Sequence, residues 1–97
     1  MPLTTREAQA LADSGIASLR RGDAGAARTA FARLAGEGMA DATVQLALAY
    51  ACQTLGDDAA ALVAADAVLA LEPRNIRALM LKGDTLDAQG NATAASF

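Results

Sequence analysis

The sequence predicts an all-α protein built as a stack of antiparallel helical hairpins. Two observations support this prediction. Alanine, which has the highest helix propensity, accounts for 27 of the 97 residues. A glycine followed by Asp or Asn recurs every 34 residues, at Gly22, Gly56 and Gly90. Because such a glycine can end one helix and the polar residue after it can cap the next, each pair predicts a turn between two helices.

The helices can be placed in order from their caps and their apolar spacing. The first begins at the capping-box pattern of Thr4 and Glu7 and runs to Arg21. Asp23 and Asp41 are placed to cap the second and third helices. We expect these two helices at residues 24–35 and 42–55, and a fourth at 58–71, before Pro73.

The end of the chain predicts an incomplete third hairpin. Asn75 is the next cap, and Leu79, Gly83 and Leu86 share one side of a fifth helix. We expect this helix to end at Gly90, and a sixth helix of little more than one turn to come after it.

Small residues recur with the same 34-residue period. Gly15, Ala49 and Gly83 coincide in this alignment, as do Ala27, Ala61 and Ala95. Short side chains at these places let two antiparallel helices pack closely. In this pattern the chain resembles the tetratricopeptide repeat (TPR) family, which has a small residue in the first helix, a Gly-Asp/Asn turn, Ala in the second helix and Pro after it.

The resemblance covers two full repeats, at residues 8–41 and 42–75, and an incomplete third at 76–97. It implies one domain spanning residues 1–97, a TPR-like α-solenoid in which about 2.5 repeats form a right-handed stack. Gln45, Ser18 and Met39 depart from the family pattern. An ordinary Ala-rich helical bundle is the alternative fold.

Charge and hydropathy limit which partners and which cellular location can be expected. The net charge is −3 and the Arg residues are scattered, so we expect no nucleic-acid partner. No run of 18 apolar residues and no signal-peptide pattern is present, so we expect no membrane segment and a cytoplasmic location. The single Cys52 fits a reducing compartment.

The residues that usually carry catalysis are scarce. There is no His, and Cys52 therefore lacks the usual activating base. The acidic pair Asp57 and Asp58 begins a helix, where carboxylates cap, and Asp84 and Asp87 fit a solvated helix face. We therefore expect no catalytic residue, no metal site and no cofactor within these 97 residues.

The TPR resemblance implies a site. In that family the first helices of successive hairpins line a concave groove that binds a peptide or a helix. The residues of this sequence that correspond to the family's peptide-binding positions are Ile16, Leu46, Tyr50, Arg77, Met80, Leu81 and Asp84. Tyr50, the one Tyr in the chain, is the expected anchor, and a packing role for its ring is the alternative.

The family members that clamp a terminal carboxylate use Lys, Asn or Arg at five groove positions. These correspond to Ala12, Ile16, Ala47, Arg77 and Leu81, and only Arg77 keeps that chemistry. We therefore expect a protein–protein interaction module for an apolar ligand. One alternative is an N-terminal attachment of a larger enzyme, such as a bacterial aspartyl/asparaginyl hydroxylase-like protein. The other is a homodimer formed through the incomplete third repeat.

Overall fold

The computed structural model describes the backbone of residues 3–95 and the side chains of residues 3–90. This part of the chain is all-α and contains no strand. Its five helices are α1 (Thr5–Arg20), α2 (Ala24–Gly36), α3 (Ala42–Thr54), α4 (Asp58–Leu71) and α5 (Ile76–Ala95). Four of the predicted helices agree with these bounds to within one residue at each end, and α5 extends further than predicted.

Each helix begins at a polar residue that caps its free backbone donors. Thr4 Oγ1 accepts a hydrogen bond from the backbone N–H of Glu7 at 3.1 Å, and the Glu7 carboxylate accepts one from the Thr4 N–H at 3.0 Å. Hydrogen bonding by Thr4 lowers the pKa of Glu7, and the bond from the Thr4 backbone N–H to the Glu7 carboxylate has the largest effect. In each later helix the side chain of the capping residue accepts a hydrogen bond from the backbone N–H three residues further along the chain. These capping residues are Asp23, Asp41, Asp57 and Asn75. These five predicted caps are therefore confirmed, whereas the cap predicted at Asn91 lies inside α5.

The turns after α1 and α3 have the same geometry, 34 residues apart. Gly22 has φ +80° and Gly56 has φ +81°, values that L side chains rarely adopt. In both turns the N–H of the following Asp donates across the turn, from Asp23 to the Ser18 carbonyl at 2.8 Å and from Asp57 to the Cys52 carbonyl at 2.9 Å. These bonds satisfy carbonyls that the end of a helix leaves free.

The predicted break at Gly90 does not occur. Helix α5 continues through Gly90 and Asn91 to Ala95, and Gly90 is not among the glycines with positive φ. After Gly22 and Gly56 the next helix buries apolar side chains, and this burial stabilises the break. A glycine within a helix costs only about 1 kcal/mol relative to Ala, so a glycine alone does not force the helix to end. The Ala-rich residues after Gly90 favour a continuous helix, so the predicted sixth helix is wrong for the described residues.

The helices form a layered stack. Each helix packs on the next along the chain, and α3 also packs on α1 and on α5. Among the described residues α2 and α4 make no such contact. The first helices of the three successive hairpin segments, α1, α3 and α5, therefore lie side by side, with α2 and α4 on the other side of the stack.

Two small clusters make up the core. One joins Phe31 and Leu34 of α2 to Ala51 of α3, and the other joins Ala49 and Leu81 to the Ala-rich inner face of α4. Most of the buried positions hold Ala, so the helices pack at close range.

Surface ion pairs connect elements that are distant in sequence. Arg28 of α2 pairs with Asp57 at 2.9 Å, and Lys82 of α5 pairs with Asp66 of α4 at 2.7 Å. All four side chains are partly exposed. Because solvent screens such pairs, each contributes at most about 1 kcal/mol.

The positive φ at Gly56 predicts the effect of a β-branched substitution. Nothing lies within 4 Å of a Cβ built at Gly56, so Gly56→Val acts through backbone strain alone and should cost about 1–2 kcal/mol or more. Ala70→Val, on the exposed face of α4, should cost about 0.5 kcal/mol through helix propensity. The measurement is the free energy of unfolding in urea for both variants. Equal unfolding midpoints would contradict the turn assignment.

Gly15 and Gly83 allow a second comparison, because they occupy equivalent positions in α1 and α5. A Cβ at Gly15 would lie 2.6 Å from the ring of Phe31, which is fully buried, whereas one at Gly83 meets nothing within 4 Å. Gly15→Ala should therefore destabilise the fold by about 1–3 kcal/mol through overpacking. Gly83→Ala should stabilise it by about 0.5–1 kcal/mol. Urea unfolding in dilute protein measures both, and a shift of the same sign would refute the packing difference.

Candidate functional site

The side of the stack formed by α1, α3 and α5 contains the positions that the TPR resemblance assigns to a groove. Residues 34 positions apart form two rows across the three helices. The first row consists of Ala12, Leu46 and Met80, and the second of Ile16, Tyr50 and Asp84. In each helix the two rows lie four residues apart, which is about one helical turn, so they are neighbours on one face.

Most of the predicted site residues are accessible at this face. Tyr50 is 40% exposed, and Ile16, Met80, Arg77 and Asp84 are exposed as well. Leu46, one helical turn before Tyr50, is half-buried. The face therefore presents apolar side chains across the three helices and charged side chains at its two ends, on α1 and α5.

Leu81 differs from the other predicted site residues. Its side chain is 2% exposed and packs in the core cluster with Ala49, Cys52 and the Ala residues of α4. The position equivalent to Leu81 in α1 is Asp13, which is exposed because no described hairpin packs on that side of α1. Leu81 thus contributes to the core between α3, α4 and α5, and it offers almost no surface to a ligand.

The charged groups at the α5 end of the face are free to contact a ligand. The ion pairs among the described residues are Arg28–Asp57 and Lys82–Asp66, and neither involves Arg77 or Asp84. On α1, Gln9 donates to Asp13 at 3.0 Å on the exposed surface. Polar groups therefore stand at both ends of the apolar rows.

The sequence did not reveal a concave surface that lies on the opposite side of the stack. A trough of about 410 Å³ runs between α2 and α4, with α3 as its floor. Its walls and floor consist of Arg28, Ala32, Ala35, Gln45, Leu48, Cys52, Ala60, Val63, Ala64 and Ala67. The trough exists because the helices that form its walls do not touch and their Ala side chains are too short to fill the gap. The sequence feature that corresponds to this trough is the recurrence of Ala at spacings of three and four in both α2 and α4.

Cys52 lies at the floor of this trough and is buried, as the sequence predicted for a small apolar core residue. Burial raises the pKa of its thiol, and the positive charge of Arg28 opposes this only in part. The thiolate is the nucleophilic form of cysteine. Cys52 is therefore held as an unreactive thiol.

The described residues offer neither a metal-binding cluster nor a membrane-spanning helix. No group of three or more His, Cys, Asp or Glu side chains there could hold a metal ion. None of the helices in that part of the chain combines the length and the apolar character needed to cross a bilayer.

Comparison with known proteins adds no assignment. A scan against protein-family models, a search of curated proteins and a search of solved structures each returned no match. Functional inference therefore depends on the geometry of the chain itself.

The raised pKa of Cys52 predicts a pH dependence of stability. A thiol whose folded pKa lies above its unfolded value stabilises the fold fully below the unfolded pKa, about 8.5, and this contribution is lost as pH rises through the folded pKa. The free energy of unfolding should therefore fall more steeply above about pH 8.5 in the parent than in Cys52→Ala. Urea denaturation of both proteins across this range measures the difference. Parallel pH profiles would show that Cys52 is not desolvated.

Proposed function

We propose that this chain is a protein–protein interaction module, a short right-handed stack of TPR-like hairpins that binds a peptide or helix on the face of α1, α3 and α5. The observation that supports it is the pair of rows across these three helices, in which apolar side chains that are at least partly exposed recur at equivalent positions: Ala12, Leu46 and Met80 in one row, and Ile16 and Tyr50 in the other. A segment of extended chain or one helix can contact several such positions at once.

The composition of the face indicates the chemistry of the ligand. Ile16, Leu46 and Met80 supply apolar area, and Tyr50 adds a ring with a hydroxyl group at the centre of the rows. Amphipathic rings in such central positions are frequent anchors in recognition. The ligand should therefore present an apolar stripe to the rows.

A free carboxylate suits this face poorly. Of the five positions that correspond to a carboxylate clamp, only Arg77 is a donor, and Ala12, Ile16, Ala47 and Leu81 have apolar side chains. A carboxylate placed there would lose water contacts without replacement, at a cost of several kcal/mol. Arg77 and Asp84 instead stand at the α5 end, where they can orient a polar flank of the ligand.

The proposal predicts which substitutions weaken binding. A peptide selected from a displayed library for binding to the parent domain would be titrated by calorimetry. Tyr50→Ala and Leu46→Ala should each cost about 1–3 kcal/mol of binding free energy. Arg77→Ala should act mainly by slowing salt-dependent association.

Val63→Ala is the matched control, because Val63 is 71% exposed on the trough side of the stack. It should leave the affinity unchanged. If Val63→Ala weakens binding while folded Tyr50→Ala and Leu46→Ala bind as the parent does, the trough is the site and the face of α1, α3 and α5 is not.

A further inference from the structure

The trough between α2 and α4 has the size and the lining of a pocket for a small molecule. Its volume is about 410 Å³, and such pockets usually measure about 300–1,000 Å³ and are mostly apolar. The lining extends over the same length of each helix, at residues 28–35, 45–52 and 60–67. At a rise of about 1.5 Å per residue, the trough is about 10 Å long.

Two polar side chains stand at opposite ends of the trough. Arg28 pairs with Asp57 at 2.9 Å, and the Asp57 N–H donates to the Cys52 carbonyl at 2.9 Å, which places Arg28 at the Cys52 end. Gln45 comes seven residues before Cys52, about 10 Å away along α3. Between these ends the lining consists of Ala, Leu and Val side chains and the Cys52 thiol.

The trough is too small for a helix. A helix with its side chains is about 10–12 Å wide, so about 10 Å of helix fills about 800 Å³ or more, roughly twice the volume of the trough. An extended peptide would bring backbone N–H and carbonyl groups against apolar walls that leave most of them unpaired. A small molecule with few polar groups avoids this cost.

Arg28 and Gln45 indicate an uncharged molecule. Among the described residues Arg28 is the one charged side chain that lines the trough, and Asp57 offsets its charge. An ionised ligand group would therefore lose its hydration without gaining an unpaired counter-charge. The Gln45 side chain is partly buried and forms no hydrogen bond with another described residue. Its amide can donate to or accept from a neutral polar group.

We propose that the trough binds an uncharged small molecule that has an elongated apolar body and one hydroxyl or carbonyl group. The polar group bonds to the Gln45 amide. The body lies along Leu48 on the floor, between the Ala-rich faces of α2 and α4. This site is on the opposite side of the stack from the proposed peptide-binding face, so the two can be tested separately.

The test is a titration of the whole chain with 1-octanol, an uncharged alcohol whose extended length is similar to that of the trough. The methyl NMR signals of Leu48, Val63 and Ala64 should shift and saturate, because these residues line the trough. Those of Ile16 and Met80, on the opposite face, should not move. Octanoate, which has the same chain length and a carboxylate, should bind at least about tenfold more weakly.

Two substitutions fill the trough, one from each wall. Ala32→Leu on α2 and Ala67→Leu on α4 should each weaken 1-octanol binding about tenfold or more, because the larger side chain occupies space that the ligand needs. Ala26→Leu is the matched control, since Ala26 is an exposed residue of α2 outside the trough, and it should leave the affinity unchanged. Circular dichroism of each variant verifies that helix content is kept.

Gln45→Met tests the polar contact with little change in side-chain size. It should weaken 1-octanol binding about fivefold, through the loss of one hydrogen bond. Affinity equal to that of the parent would overturn the assignment of the ligand's polar group to Gln45.

Two results overturn the site itself. One is a parent chain whose trough signals do not move up to the solubility limit of 1-octanol, or whose shifts are confined to Ile16 and Met80. The other is parent affinity in both folded Ala32→Leu and folded Ala67→Leu. No peptide enters these measurements, so their outcome is independent of the proposed interaction function.

Discussion

The close approach of the two helices within each hairpin is the contact on which the rest of the structure depends. Gly15 leaves room for the fully buried ring of Phe31, and Ala49 shares a buried cluster with Ala65 at the equivalent place in the second hairpin. Helices this close must be joined by tight turns, which need the positive φ of Gly22 and Gly56. Few large side chains fill the core. The stability of the fold therefore depends more on small residues where the helices cross than on the total apolar content.

Features that depend on local chemistry could be predicted from the sequence. The caps, the two glycine turns and the bounds of α4 depend on residues within one helical turn of each other. The break predicted at Gly90 was wrong, because a glycine ends a helix only when the next segment has a surface to pack on. A capping residue comes after Gly90, as it does after Gly22 and Gly56, and α5 nevertheless continues to Ala95.

The exposure of the candidate site residues could be predicted from the sequence for some of them and not for others. Ile16, Tyr50 and Met80 are exposed as groove positions should be, because their place on the helix determines which way they face. Leu81 is buried, although its equivalent Asp13 is exposed, because burial depends on whether a hairpin precedes the helix. The trough between α2 and α4 depends on a gap between two helices that do not touch, and the recurring Ala on these helices is compatible with such a gap without determining it.

The central claim is that α5 repeats the hairpin-forming face of α1 and α3, but no described helix covers it. Gly83 and Leu86 are exposed, whereas Ala49 and Cys52 at the equivalent positions of α3 are buried. The most direct measurement is native-state hydrogen exchange in α5, before and after the sequence of α2, Ala24–Gly36, is grafted in place of the residues after Asn91. In dilute protein the graft should fold back at Gly90 and slow exchange in α5 to the rates of α3. Exchange rates in α5 that the graft leaves unchanged would contradict the claim.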